Sequence, residues 1–345
     1  MQYKQLGGTG LMVSEICLGT MTFGGKGEVW TKVGDLNQTA ADAILGRAVD
    51  AGVNFIDTAD VYSEGLSEEI TGRAIADSGR PRSDFVIATK LNSAMGPGPN
   101  DRGSSRGHIM DAVKASLRRL GTDYIDLYQL HRPMGDIAID ESLRALDDLV
   151  RAGKIRYMGT SFFTSWKIVE SLWASKELGL NRMVCEQPPY SILERRIERE
   201  LIPMAQTYGI ALIPFSPLAG GMLSGKYRAA KADEGRLADA NNWRNRMRIS
   251  DPIVDAAQRV VAIADAKGVS PAAFATAWVM HQPASTSPIM GPRTMEQLEG
   301  YLAALDVTIT EEDRAAVDAI VPPGEYVSPY YQDDFGDFGP STYRW

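Results

Sequence analysis

Four side chains of this sequence have the types and spacing needed to handle a proton. Asp57 and Tyr62 open and close the stretch DTADVY, Lys90 ends ATK, and His131 stands in QLHRP. Taken singly, a lysine at a strand end is an ordinary surface residue and a histidine an ordinary satisfied core group. All four, following three successive apolar runs, point instead to one site. A free tyrosine has a pKa near 10 and is a poor acid at neutral pH. An ammonium beside it favours the phenolate and lowers that value, provided the lysine stays charged, which Asp57 would ensure. A phenol tuned in this way can give a proton to a carbonyl oxygen as hydride reaches the carbon, with His131 bonding and orienting the same oxygen. Neither a metal-ligand set nor a Ser or Cys nucleophile with a paired His is evident, so a cofactor is the natural hydride source.

The elements that must position these residues alternate along the chain. Candidate strands are SEICLG (14–19), VNFIDT (53–58), DFVIATK (84–90), YIDLYQLH (124–131), IRYMGT (155–160), MVCEQ (183–187), IALIPF (210–215) and TSPIMG (286–291). Amphipathic stretches at 39–51, 67–78, 106–120, 140–152, 164–178, 195–208, 252–267 and 271–281 read as helices between them. Strands alternating with helices are parallel βα units, and eight of them favour a closed (β/α)8 TIM barrel, an α/β fold. A doubly wound dinucleotide-binding sheet would need GxGxxG after its first strand, and the sequence there is LGTMTFGG. Residues 1–345 therefore read as one domain. Residues 1–14 form a hairpin cap on the barrel bottom, and 23–38 a long first loop at the chemical end. The aromatic and acidic tail at 324–345 is either a free end or packs on the barrel or on a neighbouring copy in a homo-oligomer.

Composition narrows the function classes. Thirty-six basic against 44 acidic side chains give a net charge of −8, which argues against nonspecific nucleic-acid binding. No apolar run approaches the roughly 18 residues of a membrane span. The N-terminus, MQYKQLGGTGLMVSEI, lacks the build of a signal peptide. Cys17 and Cys185 fit neither a metal spacing nor a disulfide framework and read as inert core thiols. His108 and His281 read as structural. The expectation is a reduced, cytoplasmic protein acting on a small molecule, without nucleic-acid or membrane partners.

Beyond the four residues, GVNFIDTADVY, ATK, DLYQLHRP, GTSFF, CEQPPY, FSPLAGGMLSGKY and IMGPRTMEQL follow one another at successive strand ends. In that order and combination the chain resembles an aldo-keto reductase over roughly residues 1–320. It is most similar to the branch containing bacterial reductases and the potassium-channel β subunits. The resemblance implies a catalytic tetrad of Asp57, Tyr62, Lys90 and His131, with Tyr62 as proton donor. It implies that Ser161 and Gln187 bond the nicotinamide carboxamide, that the ring stacks on Phe215, that Thr20 and Met21 lie near the nicotinamide ribose, and that Asp57 also contacts the cofactor. Ser216, Pro217, Leu218, Gly220 and Lys226 match the pyrophosphate loop. Gly291, Arg293 and Gln297 match the adenosine 2′-phosphate segment, where a guanidinium suits a phosphate. The cofactor implied is NADP(H), with NAD(H) as the alternative.

Three positions depart from the family pattern. Phe162 follows Ser161 where many relatives carry Asn or Arg. Gly300 and Tyr301 stand where Glu and Asn commonly face adenine, leaving Tyr301 to stack on the base. Trp30 and Phe162 are candidate substrate contacts and suit an apolar or aryl carbonyl. GGMLSGKY (220–227) nearly fits a phosphate-binding P-loop but ends in Tyr227 and lacks its Mg²⁺-binding hydroxyl. The charge run RRIERE (195–200) reads as a solvated helix face and NNWRNRMR (241–248) as a basic loop near the adenosine end. The resulting expectation is reduction of an aldehyde or ketone, or the reverse. Its rival is a redox-sensing binding subunit with slow turnover.

Overall fold

Alternation along the strands decides where this fold puts its polar groups. The computed structural model describes residues 1–27, 30–227 and 249–327. A hairpin of β1 (Tyr3–Gln5) and β2 (Met12–Ser14) comes first. Eight parallel strands follow: β3 (Cys17–Gly19), β4 (Phe55–Asp57), β5 (Val86–Leu91), β6 (Ile125–Leu130), β7 (Ile155–Ser161), β8 (Met183–Gln187), β9 (Ala211–Leu212) and β10 (Ile289–Met290). From β3 to β9 each pairs with the next in chain order, and β10 returns to pair with β3, Ile289 opposite Cys17. The last edge is joined by single bonds, Thr286 N to Leu212 O and Ile289 N to Pro214 O, both 2.8 Å. The result is a (β/α)8 barrel.

Side chains two apart along a strand share a face. Val86 and Ala88 of β5, Leu127 of β6, Cys185 of β8, Phe55 of β4 and Cys17 of β3 fill the barrel interior. Their neighbours Ile56, Ile87, Tyr128, Leu130 and Met158 face outward and pack under the helices. Burying a large apolar side chain is worth about 1.5–3 kcal/mol each, so this two-sided burial fixes the register of every strand. Leu6 and Val13 of the hairpin close the inner core from below. The turn between them needs glycine at position 7: its φ is +58°, and a Cβ there would come within 2.7 Å of Gly209 O.

The helices are α1 (Trp30–Val33), α2 (Gln38–Asp50), α3 (Leu66–Asp77), α4 (Arg106–Leu120), α5 (Ile139–Arg151), α6 (Ser165–Leu178), α7 (Leu201–Tyr208), α8 (Asp251–Lys267), α9 (Pro271–Met280), α10 (Met295–Leu302) and α11 (Glu311–Asp318). Asn37, Ser105, Ser270, Thr294 and Thr310 cap five of them through side-chain oxygens, and Thr310 with Asp313 forms a full capping box. No single helix among the described residues is long and apolar enough to cross a membrane.

Several expectations change. The strand expected at 286–291 shrinks to two residues because Pro288 has no N–H to offer the ladder. Ser14, expected to open the first barrel strand, belongs to the hairpin. The helix expected at 195–208 is broken into a 3-10 turn at Arg196–Glu198 and α7. The run RRIERE is a solvated face only in part: Arg199 and Glu200 are exposed, but Arg195 is buried and bonds Glu198 and Asp318 at 2.7 Å. Arg196 pairs with buried Glu194, and Arg199 with Glu325. Helices α10 and α11 follow the last strand, where no helix was expected. The start of the tail packs on the barrel through a Glu194–Tyr326 bridge and Val327 N to Leu193 O, 3.0 Å. The rest of the tail and the basic stretch 241–248 lie outside the described residues.

Candidate active site

The same alternation that fills the barrel with apolar groups places polar ones a layer higher. Two residues beyond Phe55, Ala88, Leu127 and Cys185 stand Asp57, Lys90, Gln129 and Gln187, on β4, β5, β6 and β8 at the C-terminal mouth. Lys90 is 0% and Asp57 2% exposed. Lys90 Nζ donates to Asp57 Oδ2 at 2.6 Å, to Thr58 O at 2.8 Å and to Tyr62 Oη at 3.4 Å. An ammonium has three N–H groups, and all three are directed to an acceptor. Burial works to lower the Lys90 pKa, but Asp57 and Tyr62 outweigh it and the net direction is upward. Lys90 is therefore a cation at neutral pH.

Tyr62 reaches the same point from the loop after β4. Thr58 N bonds Ala88 O and Asp60 N bonds Lys90 O, so the loop is laced along β5 before it turns. Ser63 and Glu64 then take left-handed conformations, with φ of 50° and 55°. The Ser63 hydroxyl donates to Phe23 O and accepts from Gly25 N, tying this turn to the long first loop. Burial pushes the Tyr62 phenol above its ordinary value, and Lys90 offsets only part of that. The expected lowering is not the net result here, and Tyr62 keeps its proton. Burial, followed by Arg132 and Lys90, drives the His131 imidazole well below its ordinary value, so it is neutral. Its ring meets that of Tyr62 edge-on, centroids 5.8 Å apart. The ring of Trp30 in α1 also packs on Tyr62, tilted, with centroids 5.4 Å apart. The geometry thus brings a protonated phenol, a neutral imidazole and a buried ammonium to one aromatic-walled mouth.

Asp57 Oδ1 also accepts from Gln187 Nε2 at 2.9 Å and from Gln129 Nε2 at 3.3 Å. Gln129 was not expected in the site. Gly159 gives it room, because a Cβ there would meet Gln129 Cγ at 3.1 Å. Ser161 Oγ donates to Gln187 O at 2.9 Å, and Thr20 N bonds Asp57 O at 2.8 Å. Thr20, Ser161 and Gln187 are thus joined to the tetrad by hydrogen bonds, and Met21 follows Thr20 on the same loop. Half-buried Phe215 faces Phe162 with ring centroids 5.0 Å apart.

After Phe215 the chain bends repeatedly, with left-handed residues at Ser216, Ala219, Gly220, Gly221 and Gly225. Pro217 and Leu218 are buried within this loop, and Lys226 is exposed at its end. A backbone bent this way presents N–H groups suited to anions, and Lys226 adds a cation. Across the last strands, Gly291 is open, Arg293 is half-buried, and Arg293 N donates to Gln297 Oε1 at 2.8 Å. These features fit the phosphates of a dinucleotide. Tyr301 does not fit the stacking role offered to it, since it is buried in the main core. His108, Cys17 and Cys185 are buried as expected, and burial raises both thiol pKa values well above normal. No cluster among the described residues would hold a metal ion.

Comparison with known proteins agrees with this geometry. The model of the Aldo/keto reductase family matches residues 15–322. A probable voltage-gated potassium channel subunit beta of Arabidopsis thaliana is 40% identical over 312 residues, 89% of this chain and 92% of the relative. An uncharacterized oxidoreductase of Bacillus subtilis is 36% identical, covering 93% of this chain and 96% of its own. A putative aryl-alcohol dehydrogenase of Schizosaccharomyces pombe is 35% identical, covering 90% and 93%. With a family match across nearly the whole barrel, the chain belongs to the aldo/keto reductase family and is an oxidoreductase of carbonyl chemistry.

Proposed function

We infer that the protein reduces an aldehyde or ketone with hydride from NADPH, NADH being the alternative donor, and that Tyr62 is the general acid. The observation that carries this reading is the buried Lys90 ammonium, bonded at once to Asp57 and directed at the Tyr62 hydroxyl. A bound nicotinamide would supply the hydride for the carbonyl carbon. Tyr62 gives its proton to the oxygen, and Lys90 stabilises the phenolate left behind without surrendering its own proton. Asp57 keeps Lys90 charged, while Gln129 and Gln187 occupy the remaining carboxylate oxygen. Neutral His131 has an N–H to donate to the substrate oxygen and orients it. Ser161 and Gln187 would hold the carboxamide and Phe215 the nicotinamide face. Thr20 and Met21 would lie beside the ribose, the 216–226 loop around the pyrophosphate, and Arg293 against the 2′-phosphate. Trp30 and Phe162 favour an aryl or other apolar carbonyl, in keeping with the relative named as an aryl-alcohol dehydrogenase. A cytoplasmic setting suits the two free thiols.

The test is Tyr62→Phe, with NADPH affinity read by fluorescence and reduction by NADPH oxidation on aryl aldehydes. The expected loss in kcat is roughly 100- to 10,000-fold with cofactor affinity nearly unchanged. A variant retaining most of its kcat would remove Tyr62 as the acid.

The channel-subunit relatives favour one second reading, a redox-sensing subunit whose slow turnover serves a protein partner. The turnover number separates the two. An enzyme exceeds about one per second on some carbonyl, whereas a sensor stays far below it and is recovered in a complex.

A further inference from the structure

Glu186 plays no part in the chemistry above, although it is wholly buried immediately before Gln187. Its Oε2 accepts from Thr160 Oγ1 at 2.5 Å and its Oε1 from Phe163 N at 3.1 Å. Those partners bracket Ser161 and Phe162. Between them Phe162 has φ +62°, a left-handed conformation that a bulky residue takes only when its surroundings impose it. So turned, its ring lies 5.0 Å from that of Phe215, with the Arg132 guanidinium 3.5 Å above its centre.

We propose that Glu186 is a positioning residue whose carboxyl holds the Thr160–Phe163 turn in its strained form. It thereby sets Ser161 and Phe162 against the nicotinamide end of the cofactor site. The assignment of that end to nicotinamide rests on the proposed function. The carboxyl can hold the turn in either protonation state. As a carboxylate it accepts from both partners. As an acid it donates to Thr160 Oγ1, whose own proton turns to Cys185 O, 3.3 Å away. Burial pushes Glu186 to about 8, against the opposing pull of Thr160, the Phe163 and Phe162 N–H groups and Arg132. The acid form therefore dominates at neutral pH, and a side-chain amide is its near isostere.

The experiment measures NADPH affinity of the full chain for wild type, Glu186→Gln, Glu186→Leu and Thr160→Val, each also in a Phe162→Gly background. Glu186→Gln should bind within about threefold of wild type and Glu186→Leu about tenfold or more weakly, because only the latter releases the strained turn. Glycine takes positive φ freely, so in the Phe162→Gly background the effect of Glu186→Leu should shrink to about threefold or less. A general packing defect would not be rescued in this way. Should Glu186→Leu not fold, Thr160→Val gives the same comparison with one bond of the latch removed. Full affinity in Glu186→Leu, or an equal loss in both backgrounds, overturns the proposal. If wild type binds neither NADPH nor NADH, the cofactor reading fails. A crystal structure of Glu186→Leu then still decides the positioning claim. Phe162 should leave the left-handed region, and its retention there overturns the claim.

Discussion

At the scale of single residues, the proposed chemistry depends on the buried charge of Lys90. Lys90→Met removes the ammonium and leaves Asp57 as an uncompensated carboxylate in the barrel, a loss of about 3–5 kcal/mol in urea unfolding. Adding Asp57→Asn should restore much of that stability. Activity should stay down roughly 100-fold or more, because Tyr62 would still lack its cation. A double variant that regained activity along with stability would mean that Lys90 is structural only. Asp57, Tyr62, Lys90 and His131 were legible in the sequence because ionisable groups at the ends of apolar runs are conspicuous. Gln129 was not: an amide two residues after Leu127 is an ordinary strand residue until the curl of the barrel is known to bring Asp57 of β4 and Gln187 of β8 onto it. Glu186 was hidden in the same way, since its partners lie 23 and 26 residues away in sequence.

At the scale of elements, the loop from Thr58 to Gly65 carries both Tyr62, the proposed acid, and a stored cost. Buried Asp60 has no side-chain hydrogen-bond partner, and burial, then nearby Glu68, pushes its carboxyl well above the ordinary range against the weaker pull of Arg119 and the Val61 N–H. Folded Asp60 thus holds its proton where the unfolded chain has lost it. This contribution to stability is complete below the ordinary carboxyl value of about 3.9 and is lost as pH rises toward the raised folded value. Asp60→Asn removes the dependence. Its melting temperature should exceed that of wild type by an amount that widens from about pH 5 to about pH 8, reaching on the order of 2 °C or more. A gap that is the same at both pH values would mean that Asp60 is ionised when folded. Most helices were legible from apolar periodicity. The break at Arg195–Glu200 was not, because Arg195 and Arg199 reach partners 123 and 126 residues away. The capping sequences TMEQ and TEED, by contrast, were present and mark α10 and α11.

At the scale of the whole molecule, closing eight strands into a ring brings the 216–226 loop and the segment after β10 to the same mouth. A dinucleotide lying between them would extend from the tetrad toward Arg293. Arg293→Ala should weaken NADPH binding roughly tenfold or more, the worth of a charge-assisted bond of about 1.5–3 kcal/mol, and leave NADH within about threefold. Equal losses for both would mean that Arg293 does not meet the 2′-phosphate. The barrel itself was legible because its strands are short, apolar and separated by helices. Its weakest edge was not, because Pro214 and Pro288 cut the last two strands to two residues each.

Hydride transfer under a tyrosine acid is most directly tested by the fate of the hydrogen. Wild type would be given NADPH deuterated at one or the other face of nicotinamide C4, with an aryl aldehyde, and the alcohol examined by mass spectrometry. Deuterium should appear on the carbinol carbon from one labelled face only, because Phe215 would cover the opposite face of the ring. An alcohol carrying no deuterium from either face, or no alcohol at all, would contradict the account.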